Sequence, residues 1–281
     1  MNVTLVHNPN SGTALSPREL KKQFRQAGIM ITRLVPIKDG FERQLEAPIR
    51  NGERIAAIGG DGTLNSVAGL LVGTKAVFIP LSGGTFNNFT KDAGVPQDLA
   101  EALARLKTAK IRQIDIGEVN GSVFLNNSSV GLYPQTLQFR ETHETTIGKW
   151  PAMVAAAARA VVRFRPLRVT IDGTTYKTPF VFVGNNRYAT DNIGLTERTR
   201  LDEGALTVLT ARVSSRLGLL KVGFFILIGR AQQLREFAEY HPTSLTIDTR
   251  RATLAVSRDG EVSQMTAPIE YRVRKKSLRI L

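Results

Sequence analysis

Gly59-Gly60-Asp61-Gly62-Thr63-Leu64-Asn65 is the stretch on which the fold turns. Before it runs Arg54-Ile55-Ala56-Ala57-Ile58, a short apolar segment that reads as a buried strand. From Leu64 to Leu71 apolar residues recur at helical spacing. The glycines therefore sit on a strand-to-helix turn. A backbone without Cβ atoms lets a ligand approach, and the first N–H groups of the helix face an anion, of which phosphate is the obvious one. Asp61 complicates this, because unit like charges about 4 Å apart repel by roughly 4 kcal/mol at an effective dielectric of 20. A divalent cation between carboxylate and phosphate reverses the sign, and magnesium suits those oxygens. The other reading is that Asp61 merely caps the helix. On the residues alone the two stand level.

Toward the N-terminus, Val3-Thr4-Leu5-Val6 reads as a strand running into His7-Asn8-Pro9-Asn10-Ser11-Gly12, a dense turn cluster. A helix is expected over Arg18–Ala27, a strand over Ile29–Val35 and a helix over Phe41–Arg50. Past the central stretch, a strand at Val77-Phe78-Ile79-Pro80-Leu81 enters Ser82-Gly83-Gly84-Thr85-Phe86-Asn87-Asn88-Phe89, and Leu99–Leu106 reads as a helix. Strands alternating with helices predict a doubly wound, parallel α/β unit with ligands at the strand C-ends. Polar, mostly glycine-bearing loops follow strands one, three and four, so they converge on one crevice. The Walker lysine, GxGxxG, HExxH and GxSxG are all absent.

After Asp115-Ile116-Gly117 the pattern changes. Glu118–Leu125 reads as a hairpin with Asn120-Gly121 at its turn. Short strands are expected over Leu167–Ile171, Phe180–Val183, Leu206–Leu209, Ser244–Ile247, Ala252–Val256 and Ile269–Val273. Trp150–Phe164 reads as a helix, with a basic C-terminal end that suits either its dipole or a membrane surface. Leu217–Phe237 reads as a helical excursion. The expected architecture is α/β plus β. Residues 1–115 are expected to form the α/β domain and 116–273 a β-sandwich-like domain, with the strand near 274–281 returning to the first.

The chain has 281 residues, no cysteine and a net charge of +14, which favours anionic partners without choosing among them and leaves no disulfide or thiolate metal site. His7, His143 and His241 are scattered and form no evident metal set. The apolar run from Leu217 to Ile228 contains Lys221 and falls short of the roughly 20 residues that cross a bilayer. Met1–Val6 is too short and uncharged for a secretory signal. Arg272, Arg274, Lys275, Lys276 and Arg279 crowd the last strand, either guarding an edge or docking on anionic lipid.

Gly59-Gly60-Asp61-Gly62-Thr63 resembles the GGDGT motif shared by diacylglycerol, sphingosine and NAD kinases and by phosphofructokinases. Asn8-Pro9-Asn10-Ser11-Gly12 is similar to the NPxSG turn of diacylglycerol kinase catalytic domains. Pro80–Phe89 is similar to their PLGTxNDF segment, with two extra residues. Together they resemble the diacylglycerol kinase catalytic-domain family, in particular YegS-like bacterial lipid kinases. The resemblance implies ATP and Mg²⁺ as cofactors. ATP would lie against Asn8, Pro9, Asn10, Ser11, Gly12, Gly59, Gly60, Asp61, Gly62, Thr63, Leu64, Asn65, Ser66, Thr85 and Asn87, with Asp61 organising Mg²⁺. Two departures stand out. Asn88 replaces a common Asp, and the threonine usually near the end of the second strand has no match around Val35-Pro36.

Asp202-Glu203-Gly204 resembles the family's DDG loop, which implies a structural Mg²⁺ on Glu203 with carbonyls from Arg200 and Ala205. Asp259-Gly260-Glu261 reads as a hairpin turn, or as two carboxylates aimed to one side of an extended chain. The resemblance implies Glu261 as catalytic base, with Asp259 beside it. The activity implied is transfer of the ATP γ-phosphate to a hydroxyl of diacylglycerol or a related lipid. It would occur in a cleft between the domains of a cytoplasmic enzyme lying peripherally on the inner face of the membrane. The rivals are a soluble NAD kinase-type enzyme and a catalytically dead lipid- or nucleotide-binding regulator. No nucleic-acid partner is expected, and homodimerisation is left open.

Overall fold

The structure is a computed structural model. It describes residues 1–9, 15–131, 166–171, 173–191, 194–195, 198–211, 213, 215, 217–218, 237–249 and 251–281. Asn10, Ser11, Gly12, His143, the helix expected over Trp150–Phe164 and most of the excursion expected over Leu217–Phe237 lie outside these residues.

The first half alternates as its sequence predicts. In chain order it has β1 (Asn2–His7), α1 (Pro17–Gln26), β2 (Met30–Pro36), a 3₁₀ turn (Phe41–Gln44), α2 (Glu46–Arg50), β3 (Arg54–Gly59), α3 (Asp61–Leu71), β4 (Val77–Ser82), α4 (Asn88–Asp92) and α5 (Leu99–Arg105). Strands pair in parallel in the order β2-β1-β3-β4. Both faces are covered. Leu20 and Phe24 of α1 and Leu103 of α5 pack on one face, while Leu64, Val67 and Leu71 of α3 and Phe89 of α4 pack on the other. Alternate strand residues feed the two layers, with Ile55 and Ala57 on the α3 side and Ala56 on the α1 side. Ser16 and Glu19 close a capping box on α1, and Asp98 caps α5. The helix expected over Phe41–Arg50 is broken, because Pro48 has no N–H to give back to the preceding turn.

The second half is β5 (Arg112–Val119), β6 (Ser122–Phe124), β7 (Asn127–Gly131), β8 (Leu167–Ile171), β9 (Thr174–Thr178), β10 (Phe180–Asn185), β11 (Thr190–Asp191), β12 (Gly194–Leu195), β13 (Leu206–Ala211), β14 (Phe237–Tyr240), β15 (Ser244–Asp248), β16 (Thr253–Arg258), β17 (Glu261–Thr266) and β18 (Ile269–Ile280). One antiparallel sheet runs β14-β13-β10-β7-β16-β17. It packs against β8, β15, β5 and the start of β18 through Val130, Val183, Val208 and Val256 on one side and Val169, Ile247, Ile269 and Tyr271 on the other. This is the expected β-sandwich.

β18 is longer than expected. Its first half pairs with β15 and β5, and Ile280 pairs in parallel with Phe78 of β4, so one strand belongs to both units. The edge-strand reading of its basic residues fails, because β18 has partners on both sides. Arg272 and Arg274 both bond to the carboxylate of buried Glu118, and Arg279 donates to the Lys75 carbonyl.

Candidate active site at the junction of the two units

Two pairs of glycines build the floor of the site. Gly59-Gly60 ends β3 and Gly83-Gly84 follows β4. A Cβ on Gly84 would lie 2.4 Å from the Gly60 Cα, and one on Gly83 would lie 2.8 Å from the Gly59 nitrogen. The two turns touch backbone to backbone. A Cβ on Gly59 would meet Thr63 at 2.6 Å. Thr63 Oγ1 accepts from Asn8 Nδ2, so the turn after β1 is tied to the first turn of α3. Leu64 N is the first amide to find an intrahelical acceptor, the Gly60 carbonyl, and the earlier amides of α3 belong to a turn whose Gly60, Gly62 and Thr63 line the crevice.

A cavity of about 410 Å³ opens there, lined by Asn8, Ile37, Gly60, Gly62, Thr63, Ser66, Gly84 and Glu261. Seven of these come from the α/β unit, while Glu261 opens β17 of the sandwich. A Cβ on Gly62 would lie 2.9 Å from Glu261 Oε1, so the carboxylate sits directly over the first turn of α3. A larger cavity, about 710 Å³, lies between α1 and α5. Its two carboxylates are engaged in capping, Glu19 with Ser16 and Asp98 with the Glu101 amide, whereas Glu261 faces the smaller space.

Asp61 does not cap its own helix, where Gly60 is the N-cap residue. Its two oxygens accept from the amides of Asn88 (3.1 Å) and Phe89 (3.0 Å) at the start of α4, and Asn126 Nδ2 lies 3.3 Å from Oδ1. Of roughly four acceptor sites on a carboxylate, three are used. The remaining one, beside the glycine turn, would suit magnesium, which takes one or two carboxylates plus substrate phosphate oxygens.

Asp259 behaves differently from the expectation of two carboxylates on an extended chain. Asp259 and Gly260 take φ values of 45° and 91° and form the two-residue turn between β16 and β17. The turn is partly exposed, but the carboxylate folds inward and accepts from the amides of Leu125 (2.7 Å), Asn126 (2.8 Å) and Asn127 (3.1 Å). Burial pushes its carboxyl up to about 6, against the pull of these three amides and of Arg198. Asp259 holds the sandwich side of the junction, and Glu261 alone faces the cavity.

The other expected residues divide. Leu64 is core, so only its backbone reaches the site. Asn65 is buried with its Oδ1 lacking a hydrogen-bond partner, and Ser66 Oγ donates to the Gly62 carbonyl. Asn87, at φ 53°, accepts from the Gly84 amide and holds the tip that exposes Thr85 and Phe86. Pro9 is exposed beside Asn8. Glu203 lies away from this cavity. Its Oε2 accepts from the Arg187 amide, and the Ala205 carbonyl accepts from the Asn186 amide. Arg200 points outward and pairs with Asp202. The glycine turn of that loop is held by buried Asp115, which accepts from the amides of Gly204 and Lys276. Among the described residues no three His, Cys, Asp or Glu side chains group to hold a metal. The residues missed by sequence reasoning are Asn126, Arg198, Asp92 and Asp115, whose partners are remote in sequence.

Residues 2–119 match the family model of the diacylglycerol kinase catalytic domain, and residues 140–281 match that of the YegS C-terminal NAD kinase beta sandwich-like domain. The chain belongs to the YegS-like, diacylglycerol kinase catalytic-domain family. Among its relatives is a Pseudomonas aeruginosa protein named "Probable lipid kinase YegS-like", 32% identical over 194 residues, which are 66% of this chain and 63% of the relative. A protein of Enterobacter sp. with the same name is 27% identical over 235 residues, 79% of this chain and 77% of the relative. A crystal structure of a diacylglycerol kinase from Bacillus anthracis shares the fold, with a TM-score of 0.69 at 18% identity over 99% of this chain and 96% of that one. The junction between the two matched regions, residues 120–139, includes Asn126.

Proposed function

We propose that this family member is an ATP-dependent lipid kinase whose reaction occurs between the two glycine turns and Glu261. The observation that carries the reading is Glu261, a carboxylate delivered by the sandwich onto the helix start that closes the glycine-turn cavity. Phosphoryl transfer asks little covalent chemistry of a protein and much positioning. The open amides of α3 hold phosphate oxygens of ATP, with Asn8, Thr63 and Ser66 around them. Asn10, Ser11 and Gly12 are assigned to ATP by the likeness of their sequence to the NPxSG motif, and Thr85 and Asn87 flank the other side. Glu261 accepts the proton of the acceptor hydroxyl as its oxygen forms a bond to the γ-phosphorus, and ADP leaves with the electrons of the broken bond. Asp61 would hold Mg²⁺, which neutralises charge on the phosphates when bound. The lipid acceptor lies on the Glu261 side, and an anionic membrane surface is the expected source of that lipid. Relatives named as lipid and diacylglycerol kinases support the choice of acceptor class.

The test is transfer of labelled γ-phosphate from Mg-ATP to vesicles carrying diacylglycerol, phosphatidylglycerol, ceramide or sphingosine, with NAD as soluble comparator. The expected result is label in one lipid, lost in Asp61→Asn. Label in NAD alone, or no label with ATP bound, would overturn the lipid-kinase assignment.

A further inference from the structure

Arg198 is a fully enclosed cation outside the lining of the cavity, with a side-chain exposure of 0%. Such a residue is costly unless every donor is placed. Its Nε donates to Asp92 Oδ2 at 2.6 Å, at the end of α4. One terminal nitrogen donates to the carbonyls of Leu125 (2.7 Å) and Asn185 (3.1 Å), and the other to Asn126 Oδ1 (2.6 Å). The Tyr188 ring lies 5.4 Å from the guanidinium carbon. Arg198 thus ties α4 of the nucleotide unit to the first sandwich strands.

The consequence falls on Asn126. Because its Oδ1 takes the guanidinium, its Nδ2 must point the other way, toward Asp61 Oδ1 at 3.3 Å. A flipped amide would set N–H groups against the guanidinium and an oxygen against the Asp61 carboxylate, both repulsive. The backbone of Asn126 is fixed independently, its N–H by Asp259 and its carbonyl by the Tyr188 hydroxyl at 2.9 Å. One residue therefore joins Asp61, at the phosphate-binding turn, to the turn that presents Glu261.

We infer that Arg198, acting through Asn126, is the positioning residue that fixes Asp61 relative to Glu261, so that the docking of the sandwich sets the geometry of the reacting centre. Neither residue touches the cavity. The catalytic meaning of the inference rests on the phosphoryl-transfer reading above; the coupling itself does not. Groups that orient an active carboxylate in this way typically cost 10- to 100-fold in activity when removed.

Three variants test it: Arg198→Lys, Asn126→Ala and Asn126→Asp. Lysine keeps a charge for Asp92 but cannot supply the fork. Aspartate keeps size and an acceptor for Arg198 but offers no donor to Asp61. Two readouts are taken on each folded variant. In the transfer assay kcat is expected to fall about 10- to 100-fold while KM for Mg-ATP changes less than about threefold, and Asn126→Asp is not expected to rescue Asn126→Ala. In amide exchange of the resting protein, the Asn88 and Phe89 N–H groups that Asp61 holds are expected to exchange about tenfold faster, with β1 and β3 unchanged. A variant with normal kcat, a loss confined to KM, or rescue by Asn126→Asp would overturn the catalytic role. Unchanged exchange at residues 88 and 89 in all three would overturn the coupling. If the wild type transfers no phosphate, the functional reading fails and the exchange experiment alone decides the coupling.

Discussion

Asp259 holds its proton up to about pH 6 when folded, whereas the free side chain releases it near 3.8. Between these values the folded chain binds more protons than the unfolded one, so this residue's contribution to stability falls as pH rises through the window. At 1.36 kcal/mol per unit the loss is about 3 kcal/mol. Urea unfolding of the wild type and Asp259→Asn at about pH 4 and about pH 7 checks this. The free-energy gap should move against the wild type by about 2 kcal/mol between these two pH values, pH 4 lying already inside the window, and a constant gap would contradict it. At this scale the sequence was partly legible. The Asp-Gly pair announced the turn, but a turn residue at φ 45° aims its side chain differently from an extended one, so the carboxylate that looked like a partner of Glu261 instead gathers three amides. Asp61 misled in the same way, since its capping role is real but serves α4, 27 residues later.

The strand-turn-helix element built on Gly59-Gly60 depends on close approach to Gly83-Gly84. Gly84→Ala would drive a Cβ to 2.4 Å from the Gly60 Cα. Backbone cannot yield there cheaply, so a cost of about 3 kcal/mol is expected, at the upper end of ordinary overpacking. Gly60→Ala meets nothing nearer than 3.5 Å, at the Gly84 Cα, and should cost under about 1 kcal/mol. Thermal denaturation of the two variants checks the difference, and equal costs would mean the turns are not in contact. The parallel α/β elements were legible because they carry local signals, apolar runs for the buried strands and helical spacing of apolar residues in α3; Asn120-Gly121 likewise marked the antiparallel hairpin of β5 and β6. β7 was not, because its Ser128 and Ser129 are polar yet buried. Ser128 bonds to the Ser257 carbonyl and the Tyr271 hydroxyl, a solution invisible without the neighbouring strand.

Across the whole molecule the two units are joined by β18, which pairs in both, and by the buried Arg198–Asp92 pair. The sequence showed two patterns of periodicity and hence two units, but their joint is built of contacts spanning up to 204 residues, which no local pattern encodes. The joint matters because the glycine turns and Glu261 come from different units. Its most direct test is Glu261→Gln, measured for ATP affinity and for single-turnover phosphate transfer to the lipid acceptor. The account predicts an unchanged affinity, within about twofold, and transfer slowed by about 100-fold or more, the range expected for loss of a general base. Transfer at the wild-type rate would contradict it.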